Sequence, residues 1–145
     1  MITRAARIRV VIVLMAILVV VARYPASRHD RREVLVAGER WTVLLAEADG
    51  MRGMVGFDGA DGMLFDMDRD TDPGAVGFVM DGVAMALDIA WFTDAGGLVG
   101  TASMGPCAAA PCPVTRAPAP FRWAIEAPAG RFRAFPPDAR LEVSP

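Results

Sequence analysis

The sequence predicts a mainly β domain, a small β-sandwich or barrel-like fold with one short helix, preceded by an N-terminal transmembrane anchor helix. Three observations predict it. Short apolar or alternating runs recur between turn signals in a chain with 14 Gly and 11 Pro, the pattern of sandwiches and small barrels. Residues 10–22, VVIVLMAILVVVA, carry no charge and are flanked by arginines on both sides. Charge divides sharply: residues 1–32 hold seven Arg against Asp30, hence +6, whereas residues 33–145 hold eight Arg against sixteen Asp and Glu, hence −8. The two parts are built for different surroundings. Residues 1–32 read as anchor and linker, and 33–145 as one domain with a single core.

The apolar run alone, thirteen residues at about 1.5 Å each, reaches ~20 Å, short of a hydrocarbon layer of roughly 30 Å. Counting back to Ala5, with Arg7 and Arg9 reaching up to the headgroups, lengthens the span to ~27 Å. The competing reading is a cleaved signal peptide, with Val20, Val21 and Ala22 as small residues before the cut and a secreted domain as the product. The anchored reading places the N-terminus inside and the domain outside the cytoplasm at the cell membrane, with the lipid bilayer as partner. Residues 24–32 form a basic tether at the membrane surface.

In the domain, residues 33–36 and 41–46 read as a strand pair broken at Ala37-Gly38. Asp49 caps a short helix towards Gly56, weakened by Gly50 and Gly53 at up to ~1 kcal/mol each. Asp58-Gly59 and Asp61-Gly62 are turns before a strand at 63–67. An acidic loop at 66–74 follows. Residues 76–80 and 84–93 predict a hairpin about Asp81-Gly82, because Asp-Gly between apolar runs is a strong short-range hairpin signal. Ala95-Gly96-Gly97 turns the chain into a strand at 98–104, and the Pro- and Ala-rich 105–120 predicts an ordered loop. Phe121, Trp123 and Ile125 alternate with Arg122, Ala124 and Glu126, the pattern of a half-buried strand with Glu126 facing solvent. Leu141 and Val143 mark a last strand.

The composition closes off several chemistries. Lysine is absent and His29 is the single histidine. That removes Schiff-base catalysis, the Gly-Lys phosphate loop, histidine-assisted nucleophiles and histidine-ligated zinc in the domain. A domain of −8 does not suit nucleic acid, whose phosphates need clustered positive charge. No cofactor is implied.

Several pieces stand in order: Arg52-Gly53-Met54, Gly62-Met63-Leu64-Phe65, Phe78-Val79-Met80, Leu87-Asp88-Ile89, Pro106-Cys107 with Cys112, and Glu126-Ala127-Pro128-Ala129-Gly130. Over residues 41–143 the chain resembles the bacterial and archaeal family called domain of unknown function 192. The resemblance implies a compact, mainly β domain, often exported or membrane-anchored, with no established activity. The family usually has Trp after the Phe, then Met, Lys, Asn and Thr, and Pro before Leu-Asp. Here Val79, Met80, Asp81, Gly82, Val83 and Ala86 stand at those places, so a cationic, amide-bearing turn has become acidic and small.

Asp88 lies within an apolar run, sharing a face with Ala86 and Ala90 while Leu87, Ile89 and Trp91 take the other. A buried carboxylate either holds the backbone or sits in a pocket with raised pKa. Glu126 is the natural second acid if the chain is a carboxylate-dependent hydrolase. That hydrolase is the alternative to the main expectation, a non-catalytic binding or envelope module for an unidentified small-molecule or envelope partner, with Met80, Asp81, Asp88 and Arg52 as candidate contacts. Cys107 and Cys112 predict a disulfide outside the cytoplasm, or a reduced, redox-active pair. Metal handling is a third reading. Met51, Met54, Met63, Met67, Met80, Met85 and Met104 offer thioethers to cuprous copper, or core filling. The alternating Asp66, Asp68, Asp70 and Asp72 invite calcium, but Thr71 and Gly77 stand where the EF-hand needs Gly and Glu, so a solvated loop is expected.

Overall fold

The structure, a computed structural model, describes residues 29–47, 50–51 and 56–144. The anchor, Arg52, Met54 and most of the short helix lie outside the described residues. Among the described residues there is no helix, and the domain is mainly β. Its nine strands are β1 (Arg31–Val36), β2 (Glu39–Leu45), β3 (Gly62–Thr71), β4 (Phe78–Val79), β5 (Leu87–Phe92), β6 (Leu98–Met104), β7 (Val114–Thr115), β8 (Phe121–Pro128) and β9 (Leu141–Val143). Seven form one sheet in the order β6-β5-β8-β3-β2-β1-β9, and β4 pairs with β7 as a separate ribbon. All pairings are antiparallel except β2 with β3.

The main sheet closes on itself in the manner of a barrel. Gly97 bridges Arg140, Leu98 N–H donates to Ala139 O at 3.1 Å and Leu141 N–H to Gly96 O at 2.8 Å. These bonds join the start of β6 to the chain entering β9, the two ends of the strand order. Gly96 is needed for the closure: its φ is +81°, and a Cβ there would collide with the Leu141 carbonyl.

Each face of the sheet carries its own apolar layer. One holds Val34, Val36, Trp41, Val43, Leu64, Ala90, Phe92, Ile125 and Ala127, sealed where Trp41 stacks on Phe132 at 5.7 Å and Arg131 lies over the Trp41 ring at 4.5 Å. The other holds Leu44, Met63, Leu87, Ile89, Trp91 and Ala124, and is covered by Met51, Phe57, Phe78, Met80 and Val83 from the connecting segments. Phe78 fixes this cover by packing on Phe65, Trp91 and Phe121 with centroids 5.4–6.2 Å apart. Strands flanked by two buried layers read as near-continuous apolar runs rather than as alternation, and all six residues of β5 are buried.

That burial corrects the hairpin expected about Asp81-Gly82. The turn exists, with Gly82 at φ +73° and Val83 N–H donating to Met80 O at 3.1 Å. The strands beside it do not pair. Phe78 and Val79 pair with Thr115 and Val114 of β7, while β5 takes β6 and β8 as neighbours. A six-residue strand with both edges inside the sheet needs two long partners, and the two-residue β4 cannot be one. The acidic loop is also corrected in part: β3 continues through Asp66 to Thr71, with a register shift against β8 between those residues. The 105–120 loop contains β7.

Candidate functional site

Register decides what the two buried acids can do together. Glu126 on β8 stands opposite Met63 of β3 and Ile89 of β5, and the same row continues to Leu44 and Ala102. Paired residues share a face, so the Glu126 carboxyl points into the covered layer. Asp88 pairs with Ser103 and Ala127 and points into the opposite layer. The sheet separates them, and the acid pair proposed for a hydrolase is not assembled.

Asp88, 4% exposed, is fully engaged. Ser103 Oγ donates to Oδ1 at 2.7 Å, and the Gly130 N–H donates to Oδ2 at 2.6 Å. Gly130 reaches this position at φ +91°, in the turn after β8. The carboxylate therefore ties β5 to β6 and to that turn.

Glu126 differs from expectation. Its strand alternation suggests solvent, yet it is 5% exposed, because the connecting segments cover that face. Among the described residues no hydrogen bond or ion pair holds its carboxyl, and burial pushes its pKa up from 4.5 to about 7. Gly62, opposite Ala127 in the same register, lets β3 and β8 approach. A Cβ on it would lie 2.5 Å from the Glu126 carbonyl oxygen. Trp91, a diagonal neighbour of Glu126 on the same face, buries its Nε1–H without a partner among the described residues.

The remaining candidates divide between these layers and the surface. Met80 is buried in the cover of Glu126, with Met51, Met63 and Met104, and Met67 and Met85 pack against it. These thioethers pack within the apolar cluster. Asp81 bridges Cys107 through the backbone, so the acidic turn is tied to the loop closed by the Cys107–Cys112 disulfide, whose Cα atoms are 5.7 Å apart. Three of the four alternating aspartates accept backbone N–H bonds. Asp66 Oδ1 accepts from Asp68 N–H at 2.8 Å, Asp70 Oδ1 from Asp94 N–H at 2.8 Å, and Asp72 Oδ1 from Gly74 N–H at 2.6 Å. Among the described residues no group of three or more His, Cys, Asp or Glu comes together as metal ligands.

One cluster escaped sequence reasoning. Arg122 reaches Asp66 through Nε at 3.0 Å and Nη2 at 3.2 Å, and Asp94 through Nη1 at 2.6 Å, with its guanidinium 4.2 Å from the Trp123 ring centroid. It borders a cleft of about 460 Å³ lined also by Arg32, Leu141, Val143 and Ser144. Partial burial alone would raise the Asp66 pKa, but the Arg122 guanidinium and the Asp68 N–H outweigh it and hold the carboxyl below its ordinary value. The residues were visible in the sequence, but separations of 56 and 28 positions carry no local signal.

Residues 38–142 match the family of uncharacterised ACR proteins, DUF192. The chain belongs to that family. No curated protein matches it. Two solved structures share the DUF192 chain's fold. One is a protein of unknown function from Novosphingobium aromaticivorans DSM 12444, with TM-score 0.67 and 19% identity over 82% of this chain and 89% of that one. The other, from Sinorhizobium meliloti 1021, is described as "a putative transcription regulator", with TM-score 0.65 and 20% identity over 82% and 98%. In this DUF192 member the Asp81-Gly82 turn connects Met80 and Val83, both in the apolar cluster on that face, rather than joining two paired strands.

Proposed function

We propose that this DUF192 protein is a membrane-anchored, extracytoplasmic β domain that works as a non-catalytic binding or envelope-associated module. The separation of the two buried carboxylates by the sheet carries the non-catalytic reading. Glycoside cleavage by paired acids needs both groups to flank one bond, ~5–10 Å apart and open to substrate. Here Asp88 is consumed by Ser103 and Gly130, and Glu126 lies under an apolar cover on the other side.

The location rests on two supports. The Cys107–Cys112 bond suits an oxidising compartment, and the uncharged run at 10–22 with its arginine flanks suits a bilayer. The −8 of residues 33–145 speaks against nucleic acid as partner, whatever the Sinorhizobium protein does.

An impermeant thiol reagent applied to intact cells tests the placement. Labelling of Cys107 and Cys112 is expected only after reduction. Labelling that requires lysis and no reductant would overturn it. Membrane fractionation separates the anchored form, released only by detergent, from the secreted alternative. Turnover of a glycoside that disappears in a folded Asp88→Asn variant would defeat the non-catalytic reading.

A further inference from the structure

The covered face holds a group at odds with its setting. The residues that share the face of Glu126 in the strand register are Met63 and Ile89 directly opposite, Phe65, Leu87 and Trp91 on the diagonals and Ala124 on its own strand, and Phe78, Met80 and Val83 pack in the same apolar cluster as these. The charged residues on those elements are directed elsewhere. Asp58 pairs with Arg31, Asp61 with Arg131 and the Thr42 N–H, Asp66 with Arg122, Asp88 with Ser103 and Gly130, and Arg116 with the carbonyls of Pro73, Gly74 and Val76. Asp81 forms the bridge to Cys107, and Arg52 follows Met51 of the cover in sequence, outside the described residues.

We propose that the Glu126 carboxyl is a proton-operated latch: neutral, it lets the apolar cover seat on the sheet, and ionised, it draws water in and unseats Phe78, Met80 and Val83. A carboxylate in such a layer must lose its proton-free form or gain water. The cover is the part that yields. β4 contributes only two residues and pairs only with the two-residue β7, whereas β8 beneath is bonded on both sides. Water that enters also meets Trp91 Nε1–H, buried without an acceptor among the described residues, so opening satisfies two groups at once. The burial that raises the Glu126 pKa to about 7 sets the working range near neutrality. This inference is independent of membrane placement.

The full-length chain in detergent provides the test, by amide hydrogen exchange at Phe78, Val79 and Val83 corrected for the intrinsic pH dependence of exchange. If opening exposes Glu126 to water, linkage makes these amides exchange roughly tenfold faster at pH 8 than at pH 6. The Glu126→Gln variant removes that acceleration. Equal acceleration in the variant, or none in the native chain, overturns the latch. Should the variant fail to fold, the carboxyl carbon shift of Glu126 in the native chain decides. A midpoint near neutrality supports the latch. A midpoint at or below the ordinary carboxylate range, rising only in Arg52→Met, reveals an ion pair and overturns it.

Discussion

Asp88 and Glu126 are buried to the same degree, 4% and 5% exposed, on adjacent strands of one sheet, yet the protein uses them in opposite ways. Asp88 faces a layer in which two donors are placed for it, so the fold satisfies both of its carboxyl oxygens. Glu126 faces a layer in which no described donor reaches its carboxyl, so the fold favours its neutral form. Burial alone predicts neither behaviour, and the donors within reach decide. The sharpest way to break the comparison is to remove the satisfied acid. Asp88→Ala leaves the Gly130 N–H and the Ser103 hydroxyl without their acceptor in a buried setting, at a cost of ~3–5 kcal/mol, measured by urea denaturation. A cost below ~1 kcal/mol would show that Asp88 is no more engaged than Glu126.

Glu126 gives the next largest effect, and it carries a pH signature. Its unfolded pKa lies near 4.5 and its folded value at about 7, so folding prefers the protonated form. The stabilisation is complete below pH 4.5, declines as the unfolded chain ionises first, and is lost once pH passes about 7. The gap corresponds to ~3 kcal/mol. The difference in unfolding free energy between Glu126→Gln and the native chain should therefore grow in favour of the variant between those limits and stay level above them. Asp66 works in the reverse sense. Its folded pKa is depressed, so its contribution is present above the ordinary carboxylate range and is lost as pH falls. Subtracting the variant's profile from the native one isolates Glu126 from Asp66 and the other carboxylates.

The contrast also explains how much was legible in the sequence. The mainly β class, the strand pair at the start of the domain, the turn at 95–97 and the last strand were all readable, because each depends on neighbours in sequence. The opposite facings of Leu87, Asp88 and Ile89 followed from strand alternation, and the disulfide from spacing and compartment. The Phe-Arg-Trp-Ala-Ile-Glu alternation suggests an exposed Glu126 because it describes one strand, whereas the cover comes from the segment around Phe78 and Met80, 48 and 46 positions earlier. The Asp81-Gly82 hairpin failed for a related reason: a turn dipeptide fixes local geometry, but pairing is decided by which strands can bury both faces of β5. The separation of Asp88 from Glu126 needed the register of β5 against β8, which alternation within each strand does not supply.

The disulfide offers a smaller perturbation confined to one side. The loop from Cys107 to Cys112 bridges to Asp81 at the edge of the cover, and closing so short a ring contributes ~2 kcal/mol in the chain-entropy account. Cys107→Ser with Cys112→Ser should lower stability by about that amount and speed exchange at Val83, while the amide of Gly130, bonded to Asp88 on the other face, keeps its protection relative to global unfolding. Equal loss at both positions would mean that the two layers open as one unit, and that the difference between the acids is local chemistry without independent motion.

The weakest perturbation touches the cover from outside. Val79 and Val114 are direct cross-strand partners on the β4–β7 ribbon, 45% and 53% exposed, while Phe78 beside them is buried against Phe65, Trp91 and Phe121. Val114→Thr keeps the branched shape that suits a strand and removes little apolar burial, so it should change stability by no more than ~0.5 kcal/mol and leave the pH profile of Glu126 unaltered. Phe78 presses on the layer that keeps water from Glu126, whereas Val114 presses on solvent. If Val114→Thr nonetheless moved the Glu126 midpoint, the seal over the buried acid would extend across the ribbon to its outer surface, and the boundary between the two regions would lie one residue further out than the buried face implies.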